Sequence, residues 1–324
     1  MMTADEHWAL WRADPRATPF QSPAWLEAWW EHLGGAGERR DVVARDGSGR
    51  PIAALPAWVW RDGDVRRLTP VGAGISDYCD ALVDPAAPGA VEALWTEIGR
   101  SDEWDEVLLP DLRLDSPLLG RLPAGLAAED SPMETCPVLA IPEHGDVLRA
   151  LTKSQRRKIV HDHHRAERLG GVEAGFATGG AVPEAMDALY ALHAARWAIA
   201  GEPGVLADPR VQAFHRAVAR ALDAAGLLRL AVVRHEGRIV AVLHGFCDRA
   251  RGYSYINGVD LAVPGQSFGT LAFRAAIERA AAEGAREFHF LRGEEPYKYA
   301  WGAEPRRTMR RVMRRAGTGA TIAG

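Results

Sequence analysis

Residues 286–302 read REFHFLRGEEPYKYAWG. A helix-like run over 270–283 passes through Gly284 into a short strand, Glu287-Phe288-His289-Phe290-Leu291. The strand empties into a turn that holds Gly293, Glu294, Glu295, Pro296, Tyr297, Lys298, Tyr299 and Trp301. Helix, glycine, strand and Gly/Pro turn follow one another as in an α/β chain, whose ligands sit where strand ends open into loops. Acids, a lysine and aromatics at this density read as a pocket wall. The competing reading has the aromatics capping the core and the charges solvated.

The same order recurs upstream. Residues 42–55 (VVARDGSGRPIAAL) and 231–243 (AVVRHEGRIVAVL) each read strand, glycine turn, strand, which is a hairpin signal. A helix-like segment precedes each hairpin, over 23–33 and 209–225. A second helix (90–98; 271–282) and a further strand (106–109; 287–291) follow each one. The two sets lie at nearly the same offset, which points to a duplicated unit.

Composition bounds the function. The chain has 324 residues, 47% hydrophobic and 25% charged, an ordinary globular profile whose length fits roughly two domains. A net charge of −4 gives no global field to recruit DNA or an anionic membrane. Cys79, Cys136 and Cys247 are odd in number and far apart, which argues against disulfides or a zinc site and fits the cytoplasm. No basic segment followed by an apolar one opens the chain, and no apolar run reaches bilayer length; the expectation is a protein without a membrane span.

Between the halves lies a basic run, Lys153-Ser154-Gln155-Arg156-Arg157-Lys158, continuing through His161, His163, His164, Arg165 and Arg168. It reads as a solvated linking helix or as a landing strip for a phosphate-bearing ligand. The histidines have no partner carboxylates at metal-ligand spacing, so no metal is expected. Arg306, Arg307, Arg310, Arg311, Arg314 and Arg315 read as a tail or a second polyanion contact. The helix over 183–199 sets His193 and Trp197 one turn apart, either lining a pocket or anchoring the helix. The helix carrying Trp25, Trp29 and Trp30 reads as a buried stripe.

Gln266-Ser267-Phe268-Gly269-Thr270 falls between a strand-like run (252–257) and the helix starting near Thr270. Backbone N–H groups at such a helix start suit phosphate oxygens, although Ser or Thr there is also an ordinary N-cap. The stretch resembles the Gln/Arg-x-x-Gly-x-Gly/Ala pyrophosphate loop of GNAT acyltransferases, departing at Leu271, where the family has a small residue. Phe20-Gln21-Ser22-Pro23-Ala24-Trp25, Ser76-Asp77-Tyr78-Cys79-Asp80, Leu192-His193-Ala194-Ala195-Arg196-Trp197 and residues 295–302 extend the likeness over 20–305. In these stretches the chain is similar to CelD/BcsL-type acetyltransferases, tandem GNAT proteins related to the FemAB aminoacyltransferases.

The resemblance implies an α/β (α+β) fold of two tandem GNAT-like domains, each a mixed central sheet flanked by helices. The expected division is 1–148 (acceptor side), 149–170 (basic linking helix) and 171–324 (acyl-CoA side). It implies transfer of an acetyl or other acyl group from acyl-CoA to an amine of a small molecule or a sugar or cell-envelope precursor, with no metal. Gln266, Ser267, Phe268, Gly269 and Thr270 are the expected CoA contacts. Lys298 matches the lysine of a Phe-Lys-x-x-Phe element, where an ammonium stabilises a developing oxyanion. Asp77 and Glu294 are the candidate bases, since direct attack requires the amine to lose a proton. Tyr78, Asp80, Arg196, Trp197, Tyr255 and Tyr297 complete the expected substrate site. Two rival readings are a tRNA-dependent FemAB-like transferase, served by the basic run, and a non-catalytic scaffold in polysaccharide assembly.

Overall fold

A computed structural model describes residues 2–35, 37–143, 145–262 and 267–315. The chain forms two compact units, one of Met1–Glu134 with Arg307–Gly324 and the other of Thr135–Arg306. The proposed borders at 148 and 170 differ from this division. The chain changes unit earlier, and the strand Arg307–Arg315 returns to the first unit to complete a sheet there.

The first unit opens with α1 (Ala4–Ala13) and α2 (Pro23–Leu33). Thr3 and Glu6 cap α1 reciprocally, and Ser22 with Pro23 starts α2, so each helix begins where its free N–H groups find an acceptor. Strands β1 (Glu38–Arg39), β2 (Val42–Arg45), β3 (Pro51–Leu55), β4 (Ala57–Asp62), β5 (Val65–Pro70) and β6 (Leu82–Val83) follow. Next come α3 (Ala90–Arg100), β7 (Glu106–Arg113) and β8 (Leu126–Thr135). With the C-terminal strand inserted, the larger sheet has the order β1-β4-β5-β7-(307–315)-β8, while β2-β3-β6 form a smaller one. Leu94, Trp95 and Ile98 of α3 pack with Leu68, Val107 and Leu109 in the core.

The second unit contains β9 (Val138–Ala140), α4 (Val147–Ala150), α5 (Lys153–Leu169), β10 (Val172–Ala177), α6 (Val182–Ala200) and α7 (Pro209–Ala224). It continues with β11 (Leu228–His235), β12 (Arg238–Cys247), β13 (Arg251–Val259), α8 (Phe268–Ala282), β14 (Glu287–His289) and α9 (Pro296–Ala300), and β15 is the strand Arg307–Arg315 of the first unit. Its sheet runs β10-β11-β12-β13-β14-β9, antiparallel except for β13 and β14. Glu236 (φ 50°) and Gly237 (φ 78°) turn β11 into β12; this two-residue turn needs positive φ at both positions, which Gly237 adopts without cost.

The duplication expected from the sequence is present in architecture. β5 joins β7 through α3, and β13 joins β14 through α8, and each pair is parallel. It is not a repeat of sheet order, because the first hairpin lies in the three-stranded sheet and the second inside the six-stranded one. The C-terminal arginines are corrected as well. Arg311 is buried, donating to both oxygens of Asp130 at 2.7 Å and to the carbonyls of Leu118, Leu119 and Gly120. Arg314 pairs with Glu106 and Arg306 with Glu287. Arg315 donates to the Ser101 carbonyl, so four of the six arginines hold local structure.

Candidate active site

β13 and β14 start together and then part. Arg251, Gly252 and Tyr253 face Glu287, Phe288 and His289, after which β14 ends while β13 runs on to Val259. The strand expected over 287–291 stops early because Leu291 is buried at φ 59° and turns the chain away. From Ser254 onward, the side of β13 toward β14 has no strand partner in that pair, so its backbone groups face the opening. A bulge sits at the same place: His244 pairs with Ile256 and Gly245 with Ser254, leaving Tyr255 as the extra residue. Bulges re-aim one side chain beside a site, and here the residue is Tyr255.

Residues from α8 and the turn after β14 border this opening. Tyr297 hydrogen-bonds Asn257 of β13, and burial followed by the Glu295 charge pushes its phenol pKa up. Its ring stacks at 5.1 Å on Phe273 of α8, which reaches Phe290 at 5.6 Å. Arg196, exposed on α6, is close enough for its charge to lower the Tyr297 pKa slightly against those effects. At the start of α8, Gly269 sits so near β13 that a Cβ would stand 3.1 Å from Val259 Cγ2. Ser267 is the N-cap residue and Thr270 Oγ1 donates to Asp162 of α5 at 3.5 Å. Gln266 lies outside the described residues. The Phe268 side chain is fully buried in the core against His235, which leaves only its backbone, at the first position of α8, to face a ligand.

Lys298 is also corrected. Only 2% exposed, its ammonium donates to the carbonyls of Leu291 (3.1 Å), Arg292 (2.6 Å) and Gly293 (3.0 Å), with Glu295 at 2.9 Å. Four acceptors surround three N–H bonds, which leaves no donor for a developing oxyanion. The lysine instead ties down the turn that follows β14. Glu294 is exposed and accepts from Tyr299 Oη at 3.2 Å.

Two residues missed in the sequence surround Tyr255. His215 of α7 and His244 of β12 are buried, with ring centroids 5.5 and 6.0 Å from Tyr255, and Phe246 stands at 5.6 Å. Burial lowers both imidazole pKa values, that of His244 to about 3, and neither ring nitrogen of His244 has a hydrogen-bond partner among the described residues. The available signal was a histidine inside the otherwise apolar run VAVLHGFC. His193 and Trp197 hold each other, Trp197 Nε1 donating to His193 Nε2 at 2.9 Å. Cys247 is buried, which pushes its thiol up to about 12, and a thiol in that state is not a nucleophile.

In the first unit two of the singled-out stretches meet. Gln21 Nε2 donates to the Tyr78 carbonyl at 2.7 Å, Trp25 Nε1 donates to Ser76 Oγ at 2.9 Å, and Phe20 packs edge-on against both Trp25 and Tyr78. Asp77 is buried beside them. Desolvation raises the Asp80 carboxyl to about 7, against bonds from Ser116 Oγ and the Ala81 N–H and the charge of Arg113. Among the described residues no group of three or more His, Cys, Asp or Glu side chains is arranged to hold a metal, and no helix is long and apolar enough to cross a membrane.

Residues 153–299 match the family model of an acetyltransferase (GNAT) domain. No curated protein matches the chain. Among solved structures it is similar to FemX, with TM-score 0.71, 12% identity and 96% of each chain covered. It is also similar to the C-terminal domain of a putative lysylphosphatidylglycerol synthetase from Agrobacterium fabrum (TM-score 0.57, 13% identity, 95% of this chain and 90% of that one). A third likeness is to L-PGS from Bacillus licheniformis (TM-score 0.58, 13% identity, 92% and 93% covered). At these identities the likeness is one of fold. Residues 153–299 are thus a GNAT acetyltransferase domain, and the chain as a whole is similar in fold to FemX.

Proposed function

We propose that the second unit takes acyl-CoA at the opening between β13 and β14 and transfers the acyl group to an amine by direct attack. The observation that carries this is the parting of two parallel strands after three paired residues. It leaves the backbone from Ser254 to Val259 facing a gap, where an extended amide-bearing arm can hydrogen-bond as an added strand. Ser267, Gly269 and Thr270 stand at the adjoining start of α8, where backbone N–H groups and the helix dipole favour pyrophosphate. The close approach of Gly269 to Val259 supports a residue without a side chain there.

Direct attack forms a bond from the acceptor nitrogen to the acyl carbon, breaks the carbon–sulfur bond, and requires the nitrogen to lose its proton while the thiolate gains one. Glu294, exposed in the turn after β14, is the proposed acceptor of that proton. Lys298 acts at one remove by fixing the Leu291–Arg292–Gly293 backbone from which Glu294 projects. Tyr255, Tyr297, Trp197 and Arg196 are the proposed substrate contacts in this unit. Asp77, Tyr78 and Asp80 are the proposed acceptor-recognition residues of the first, where desolvation raises the Asp80 carboxyl.

Thermal unfolding with acetyl-CoA tests the reading. A ligand that binds only the folded state stabilises it by about 2.7 kcal/mol at one hundred times Kd. The expected result is a clear rise in Tm with acetyl-CoA. An unchanged Tm with every acyl-CoA tried removes the donor assignment.

A further inference from the structure

We propose that the outward face of α5 is a phosphate-docking surface for the nucleotide end of the acyl donor, an inference that rests on the donor reading above. At about 100° per residue, Lys153, Arg157, His161, His164 and Arg168 fall within an arc of about 80°. All five are exposed, and they run for about 22 Å along the helix. Lys158 and Arg165 flank this row. Ile159, Asp162 and Ala166 are buried on the opposite side.

Lys153, Arg156, Arg157, Arg165 and Arg168 have no carboxylate in salt-bridge reach among the described residues, and Lys158 has only Asp162, at 3.3 Å. Like charges four residues apart on a helix repel, by about 0.2–0.5 kcal/mol per pair. Lys153 and Arg157 are such a pair. An unneutralised row of this kind is stable against its own repulsion only weakly, and a polyanion relieves it. No large apolar side chain interrupts the row, as one would in a helix that inserts its face into a bilayer.

The position of α5 relates the row to the donor. Asp162 faces α8, accepting from Thr270 Oγ1 while pairing with Lys158, and His161 Nδ1 lies 3.8 Å from its other oxygen. His161, a member of the row, and Lys158 beside it therefore stand next to the helix start assigned to the pyrophosphate. Phosphate groups beyond the pyrophosphate, of which CoA carries one on its ribose, meet these cations next. Charge-assisted contacts of this type are stronger than neutral ones.

The experiment is calorimetric titration of CoA and 3′-dephospho-CoA into the wild-type protein and into Arg157→Ala/His161→Ala, with an RNA hairpin and anionic vesicles as further titrants. Wild type is expected to prefer CoA over dephospho-CoA by about tenfold, and the variant to bind dephospho-CoA as wild type does while losing the preference. A preference retained in the variant overturns the proposal. So does equal binding of both ligands by wild type, and in either case the donor reading stands. If wild type binds neither ligand, the donor reading itself has failed. Binding of RNA or vesicles that is lost in the variant, with CoA unaffected, assigns the row to a different partner and overturns the proposal as well.

Discussion

The ammonium of Lys298 lies 2.6–3.1 Å from three successive carbonyls, so its removal leaves buried oxygens without donors. Lys298→Met is expected to lower stability by about 3 kcal/mol, read from the urea midpoint at constant m-value. A wild-type midpoint with lost turnover would return the lysine to the chemistry. His244 sets the second expectation at this scale. Its pKa is near 3 in the folded protein and near 6.5 when unfolded, so below pH 6.5 the unfolded state binds the extra proton. Stability is then complete above pH 6.5 and declines as the pH falls toward 3, by about 2 kcal/mol between pH 6.5 and 5 for this residue alone. Replacing it, as in His244→Leu, is expected to flatten that part of the stability profile. A slope identical to wild type would show that His244 is not the buried group that titrates.

At the scale of elements, the start of α8 and the free edge of β13 form one feature. Gly269 brings them together, since even a Cβ would meet Val259 at 3.1 Å. Gly269→Asp adds a carboxylate where pyrophosphate is assigned. It is expected to abolish the Tm shift produced by acetyl-CoA while leaving the far-ultraviolet circular dichroism unchanged. A retained shift places the donor elsewhere. The bulge at Tyr255 belongs to the same scale, because a single extra residue in the register turns one ring toward His215 and His244. No count of apolar alternation reveals that turn, as register depends on the partner strand.

At the scale of the whole molecule, β15 completes a sheet whose other strands end at Thr135. Its removal takes away the hydrogen-bonded neighbour of β7 and the buried Arg311–Asp130 pair, so truncation after residue 306 is expected to expose the first unit. Hydrogen exchange should show lost protection in β7 and β8 with β11–β13 still protected; undiminished protection of β7 would contradict this. Residue order alone carried the helix starts at Pro23 and Pro209, both hairpins, the strand–turn at 287–302 and the duplicated α/β alternation, because caps, glycine turns and periodicity act within a few residues. Tertiary structure decided what each charge does. Lys298 and Arg311 are cationic in any list, and only packing converts the first into a clamp on its own loop and the second into a core ion pair. Partner atoms come from residues distant in sequence or from backbone carbonyls that carry no residue identity, so the pairing of charges is written in the fold and not in their spacing.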